Sequence, residues 1–201
     1  DALPIYYEFM TIEDIKNVSA HSSFRLFKSQ IPYYIFDSWS SFRRPWGWNM
    51  TKKGSKLIFK DDNMTILRAP FDEGRRSAAL GDTLMSHGTY IWRLEVKNGQ
   101  ERSGIGFGII KSDYLKDVED FNETDAYTLG SNGWVNKLTR VNELASYDDK
   151  VYELVLDLER GSFKIFYNNK VIVEKNDEIK GYTFLPYCSL AKRGNTVRLI
   201  N

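Results

Sequence analysis

The chain has 201 residues, enough for one β-sandwich or two small domains, and 42% of them are hydrophobic, which allows a large core. Its formal charge is +1, with Lys and Arg scattered among Asp and Glu, so no basic stripe marks a nucleic-acid surface. No apolar run approaches the ~20 residues of a membrane helix, and the single cysteine, Cys188, excludes an internal disulfide and makes the cytosol or nucleus the simpler expectation.

The chain begins with Asp and no signal peptide precedes it, as expected of a processed product or a fragment excised from something longer. Residues 1–30 read as an N-terminal extension or the end of a preceding domain. Thr11 is placed to cap a short helix over TIEDIKNV, with Asp14 at the position that reaches back to the cap and Ile12, Ile15 and Val18 on one face. The rhythm YYEFMTIEDIKNV is similar to the helical segment that follows BTB domains in some ubiquitin-ligase adaptors.

From Ile31 to residue 201 the pattern is that of strands. Ile31–Trp39 is aromatic-rich. In Arg43-Arg44-Pro45-Trp46-Gly47-Trp48, alternation puts Trp46 and Trp48 on one face, so at least one belongs to the core. Leu57–Lys60 and Met64–Leu67 flank the polar turn Asp61-Asp62-Asn63. GTYIWRLEV (88–96) alternates cleanly, and SGIGFGII (103–110) sets three glycines on one face, with room for a bulky group such as an aromatic from the facing layer. Ser112–Val118 can form one or two helical turns, and Ala126–Leu129 and Trp134–Lys137 lie either side of Gly130-Ser131-Asn132-Gly133. The clearest signal is YELVLDLERGSFKIFYNNKVI (152–172), in which Tyr152, Leu154, Leu156 and Leu158 share a face, and two tight turns, the second at Asn168-Asn169, join successive strands. Gly181–Leu190 and Thr196–Ile200 complete the series. Consecutive hairpins of this kind mean an antiparallel sheet with one face buried and loops offered to solvent. Trp92, Leu94, Phe107, Leu156, Leu158, Phe166, Leu185 and Leu199 are the expected core.

The order of these strands resembles the SPRY (B30.2/SPRY-like) domain. The resemblance rests on Gly88, Tyr90 and Trp92, then Gly104 and Gly106, Asn132-Gly133, Leu156-Asp157-Leu158, Phe166-Tyr167-Asn168, Pro186, and Val197 with Leu199. It spans residues 35 to 201, with SKLIFKDDNMTILRA and DTLMSHG also matching. Arg93 stands where the family usually has Glu, and Asn169 where it usually has Gly. The resemblance implies an all-β, bent antiparallel sandwich of concanavalin-like type that binds protein partners and uses no cofactor. Such modules occur in ubiquitin ligases, splicing and chromatin factors, Ran-binding proteins and calcium channels, so the partner is not named by the fold.

No catalytic constellation competes with this reading. Of the two histidines, His21 and His87, the second sits at a strand entry, and Cys188 lies within the apolar run YCSL, where a thiol acts as a small hydrophobe. Gly104-Ile105-Gly106-Phe107-Gly108 continues into a strand, with no helix N-terminus behind it to hold phosphate. The pairs Asp61-Asp62, Glu119-Asp120 and Asp148-Asp149 sit in turns, and no spacing fits zinc or calcium. The expectation is therefore a non-catalytic, monomeric module with a protein or peptide partner and no metal, nucleic acid or membrane, with a place in a ubiquitin ligase or another regulatory protein. The alternative is a lectin-like sandwich that stacks sugar on an exposed aromatic. The sequons at Asn17, Asn49, Asn63 and Asn122 would suit it in an extracellular protein. Partner contacts are expected in loops that carry aromatic, Arg and Asn side chains: Arg43, Arg44, Trp46, Tyr114, Asp117, Asn132, Trp134, Tyr147, Lys192 and Arg193.

Overall fold

A computed structural model describes residues 47–70, 76–99, 104–114, 126–142 and 149–200. The aromatic run at 31–39, the helix at TIEDIKNV and the boundary near residue 30 lie outside the described residues. Among the described residues fourteen strands form two sheets. In the six-stranded sheet the order is β1 (Trp48–Lys53), β4 (Ser77–Gly81), β13 (Phe184–Leu190), β6 (Ile105–Lys111), β7 (Ala126–Gly130) and β8 (Val135–Asn136). In the eight-stranded sheet it is β2 (Leu57–Lys60), β3 (Thr65–Arg68), β14 (Thr196–Ile200), β5 (Thr89–Lys97), β10 (Lys150–Asp157), β11 (Ser162–Tyr167), β12 (Lys170–Lys175) and β9 (Thr139–Arg140). Neighbouring strands are antiparallel throughout both sheets. The fold is thus the antiparallel sandwich that the alternation demands.

The core fills the space between the sheets. Trp92, Leu94, Tyr152, Leu154, Leu156, Phe163 and Ile165 enter it from the eight-stranded sheet, and Phe107, Ile109, Tyr127, Leu129, Phe184 and Cys188 from the other. Trp92 stacks on Phe163 at 6.2 Å between ring centroids, and Phe107 tilts against Tyr152 at 4.7 Å. Seven of the eight expected core residues are buried. Phe166 is the exception and is half-buried. Phe163 and Ile165 take the inward positions on β11, so the alternation along the strand puts Phe166 on the face of Lys164.

The inner strands of the six-stranded sheet, β4, β13, β6 and β7, are buried on both faces. Ala78, Leu80, Ile110, Ala126, Leu185 and Tyr187 form a second cluster on the face opposite the main core. Strands buried on both sides lose the alternation of apolar and polar residues. Pro186 sits within β13, one residue before the β4 ladder begins at Tyr187↔Leu80, so its missing N–H breaks no bond to β4. Its ring lies against Gly81, where a Cβ would come within 2.8 Å.

The glycines of β6 serve a different neighbour from the one expected. A Cβ on Gly108 would collide with the carbonyl of Tyr127 on the adjacent strand, and the aromatic beside it is Tyr187, its cross-strand partner in the same sheet. Gly104, at φ 90°, lies against Ala191 and Lys192. Close approach within one sheet, rather than an aromatic from the facing layer, is what these glycines permit.

The tight turns follow their residues. Asp61, Asp62 and Asn63 all have positive φ (52°, 49° and 66°), which Asn and Asp tolerate best among side-chain-bearing residues. Thr65 Oγ1 donates to Asp61 Oδ2 at 2.7 Å across this turn. Asn168 and Asn169, at φ 49° and 59°, form the mirror-image turn that matches strand twist. At the β10–β11 turn, Asp157 Oδ1 accepts the N–H groups of Glu159 and Arg160 at 3.1 and 2.9 Å.

Candidate partner-binding end

Antiparallel pairing sends successive connections to alternate ends of the sandwich. The register fixes which loops meet. Leu190 pairs with both Ser77 and Ile105, and Gly106 with Gly130. Arg76, Gly104, the turn after Gly130 and the turn after Leu190 therefore share one end. Phe184 pairs with Lys111, and Ile110 with Ala126. The 3₁₀ turn Ser112–Tyr114 is accordingly at the other end, where Ser112 Oγ and Thr183 Oγ1 share a hydrogen bond. The two ends of β13 are six residue steps apart, roughly 20 Å.

Of the ten expected contact residues, Asn132, Trp134, Lys192 and Arg193 gather at the first end, and Tyr114 lies at the second. Arg43, Arg44, Trp46, Asp117 and Tyr147 lie outside the described residues. Trp48, beside the Arg-Pro-Trp motif, is a core residue at 1% exposure, and its indole N–H donates to Met64 O at 3.2 Å.

Trp134 is the large aromatic that this end presents. It is 41% exposed, whereas Trp48 and Trp92 are buried. Its turn is closely held. Gly133 N–H donates to Gly130 O at 2.8 Å, Gly130 N–H donates to Trp134 O at 2.7 Å, and Asn132 Oδ1 accepts the Trp134 N–H at 3.1 Å. Gly133 at φ 79° lets the chain reverse, and the Arg140 guanidinium donates to its carbonyl. Asn132 thus acts first as a builder of the turn. The Arg76 guanidinium lies over the Trp134 ring, 5.8 Å from its centroid. Sequence reasoning missed Arg76 and Arg140: Arg76 reads as one half of a short basic pair at a strand entry, and only the sheet order brings it to a tryptophan 58 positions further on.

The 191–195 turn is built by Asn195, which is fully buried. Its Oδ1 accepts Gly99 N–H at 2.8 Å, its carbonyl accepts Arg68 N–H at 3.1 Å, and its own N–H donates to Lys192 O at 3.2 Å. Ala191 N–H ties the turn to Gly104 O at 2.8 Å. On this frame Arg193 is exposed and Lys192 half-buried.

The reactive side chains of the described residues are not arranged as a catalytic site. Burial pushes the Cys188 thiol well above its usual range, against a smaller lowering by a hydrogen bond with the Ala79 backbone. Burial, with Tyr167 adding to it, likewise raises the Tyr152 hydroxyl. His87 Nδ1 lies 2.9 Å from Ser86 Oγ, but the two are neighbours on an exposed bend with nothing to exclude water. Among the described residues no group of three or more His, Cys, Asp or Glu could hold a metal ion.

No protein-family model matches the chain. Solved structures do. The SPRY domain of human HERC1 superimposes with a TM-score of 0.60 at 14% identity, covering 77% of this chain and 98% of its own. The TRIM65 PSpry domain gives 0.62 at 9% identity, covering 85% and 97%. Stonustoxin gives 0.55 at 15% identity, covering 77% of this chain and 27% of its own. The two antiparallel sheets, their strand order and these superpositions identify the fold of this chain as that of the SPRY domain.

Proposed function

We propose that this chain is a non-catalytic interaction module that takes a protein or peptide partner at the end carrying Trp134. The observation that carries the reading is an exposed tryptophan on a closely hydrogen-bonded turn, flanked by arginines, on a rigid sandwich. Trp and Arg dominate interface hot spots because each covers much area and also hydrogen-bonds. A preorganised turn loses little entropy when a partner docks. The SPRY fold supports an interaction role without naming the partner. A place in a ubiquitin ligase or other regulatory protein, in the cytosol or nucleus, rests on the sequence resemblance and the lone thiol. The lectin alternative gains little from Trp134, since Arg76 already covers the ring that a sugar would stack on.

The test is to isolate a partner by pull-down and to measure its affinity for Trp134→Ala, Arg193→Ala and Tyr114→Ala, with folding followed separately. The reading expects losses for the first two and none for Tyr114→Ala. Loss confined to Tyr114→Ala would move the site to the opposite end. Binding to a glycan array, abolished by Trp134→Ala, would restore the lectin alternative.

A further inference from the structure

Building on that reading, we propose that the segment received at the Trp134 end is an extended acidic peptide. It sets an apolar or aromatic side chain on Trp134 and a carboxylate against Arg193, about three residues away. The charged groups described beside the indole are cations: Arg76 over its ring and Arg140 on the Gly133 carbonyl. The exposed Arg193 stands on the neighbouring 191–195 turn. The described carboxylates at this end are engaged within the chain. Asp149 Oδ1 accepts Asn98 N–H at 3.1 Å, and Glu95 pairs with Lys97 at 2.9 Å. An incoming acid therefore meets positive groups in front of it.

The spacing follows from the sheet. The Arg193 turn leaves β13 and the Trp134 turn leaves β7, with only β6 between them. Two inter-strand steps amount to about 10 Å, and three residues of extended chain cover the same distance. Arginine accepts a carboxylate in a two-pronged, charge-assisted pair, so the carboxylate end of such a ligand gains orientation as well as attraction.

The test is to pan a phage-displayed library of random short peptides on the chain. A selected peptide is then synthesised in two forms, one with its Asp and Glu changed to Asn and Gln. The expected result is enrichment of Asp or Glu about three positions from an aromatic or aliphatic residue. Affinity should fall roughly tenfold for the amide form and for Arg193→Glu, and should weaken as salt is raised. Equal binding of the two peptide forms, with binding still lost in Trp134→Ala, overturns the acidic partner and leaves the binding end standing. Binding indifferent to Trp134→Ala overturns the binding end itself. A selection that yields no peptide dependent on this end counts against both. Thermal midpoints of the variants matching the parent exclude unfolding as the cause.

Discussion

The two ends of the sandwich use the same residue types for opposite purposes. At the Tyr114 end, Asp61 and Asp157 turn their carboxylates onto their own turns, at 2.7 to 3.1 Å from the donors they satisfy. At the Trp134 end the polar duty is shared by Asn132, Asn195 and Asp149, and the long side chains of Trp134 and Arg193 are left to face outward. A loop rich in Asp, Asn, Arg and Trp is therefore not a site by composition. It becomes a candidate when its turn is satisfied by some side chains and others remain to meet a partner.

This contrast predicts a gradient of effects. The reference is the core between the ends: Phe107→Ala, at a fully buried position, should cost about 3–5 kcal/mol in urea unfolding. Alkaline pH should come next. Burial raises the pKa of the Cys188 thiol and the Tyr152 hydroxyl in the folded state, so the unfolded chain loses these protons first. Stability is then full below the unfolded values and falls as pH rises, by about 1.4 kcal/mol per pH unit above about pH 9 for the thiol alone. A flat stability curve between pH 8 and 10 would contradict the burial of Cys188. At the Tyr114 end, Asp157→Ala should cost about 1–2 kcal/mol, because two turn N–H groups lose a charged acceptor. At the other end, Asn169→Gly should stabilise by about 0.5 kcal/mol, since glycine adopts the left-handed region more readily than asparagine. Smallest of all, Trp134→Ala and Arg193→Ala should move stability by no more than about 0.5 kcal/mol. A large loss for Trp134→Ala would erase the contrast and make the indole a structural residue.

Strands with one face to solvent were legible from sequence. Tyr152–Leu158, Phe163–Tyr167 and 88–96 alternate because one set of side chains meets the core and the other water, and they correspond to β10, β11 and β5. β4 was not legible. Ser77–Gly81 is four small residues and Leu80, buried on both faces, with no polar partner set to mark a period. β9 has two residues, too few to carry a pattern, whereas β8, equally short, falls within the Trp134–Lys137 segment that follows the Asn132-Gly133 turn. The misplacement of Phe166 has another root: it alternates with Phe163 and Ile165, so its position pointed outward while its apolar character pointed to the core. For the site, the turn at Asn132-Gly133 announced itself, but the described residues expected to contact a partner divide between two ends. Strand parity could have separated them. The 111–126 connection and the 130–134 turn flank a single strand, β7, so antiparallel geometry must send them to opposite ends. The meeting of Arg76 with Trp134 depended on sheet order, which local patterns do not contain.

The sheet margins bear on self-association. An unpaired strand margin is a template on which further copies can polymerise. Among the described residues, one margin of each sheet, β8 and β9, is two residues long, too short to hold an incoming strand in register. The opposite margins, β1 and β2, carry Lys52, Lys53 and Lys60, and on β1 the Asn49 side chain already occupies the N–H groups of Thr51 and Lys52 at 2.9 and 3.1 Å. A second copy arriving at β1 would find charge and spent donors in place of an open ladder. The architecture thus disfavours fibre growth through its margins while leaving its loop-bearing end accessible.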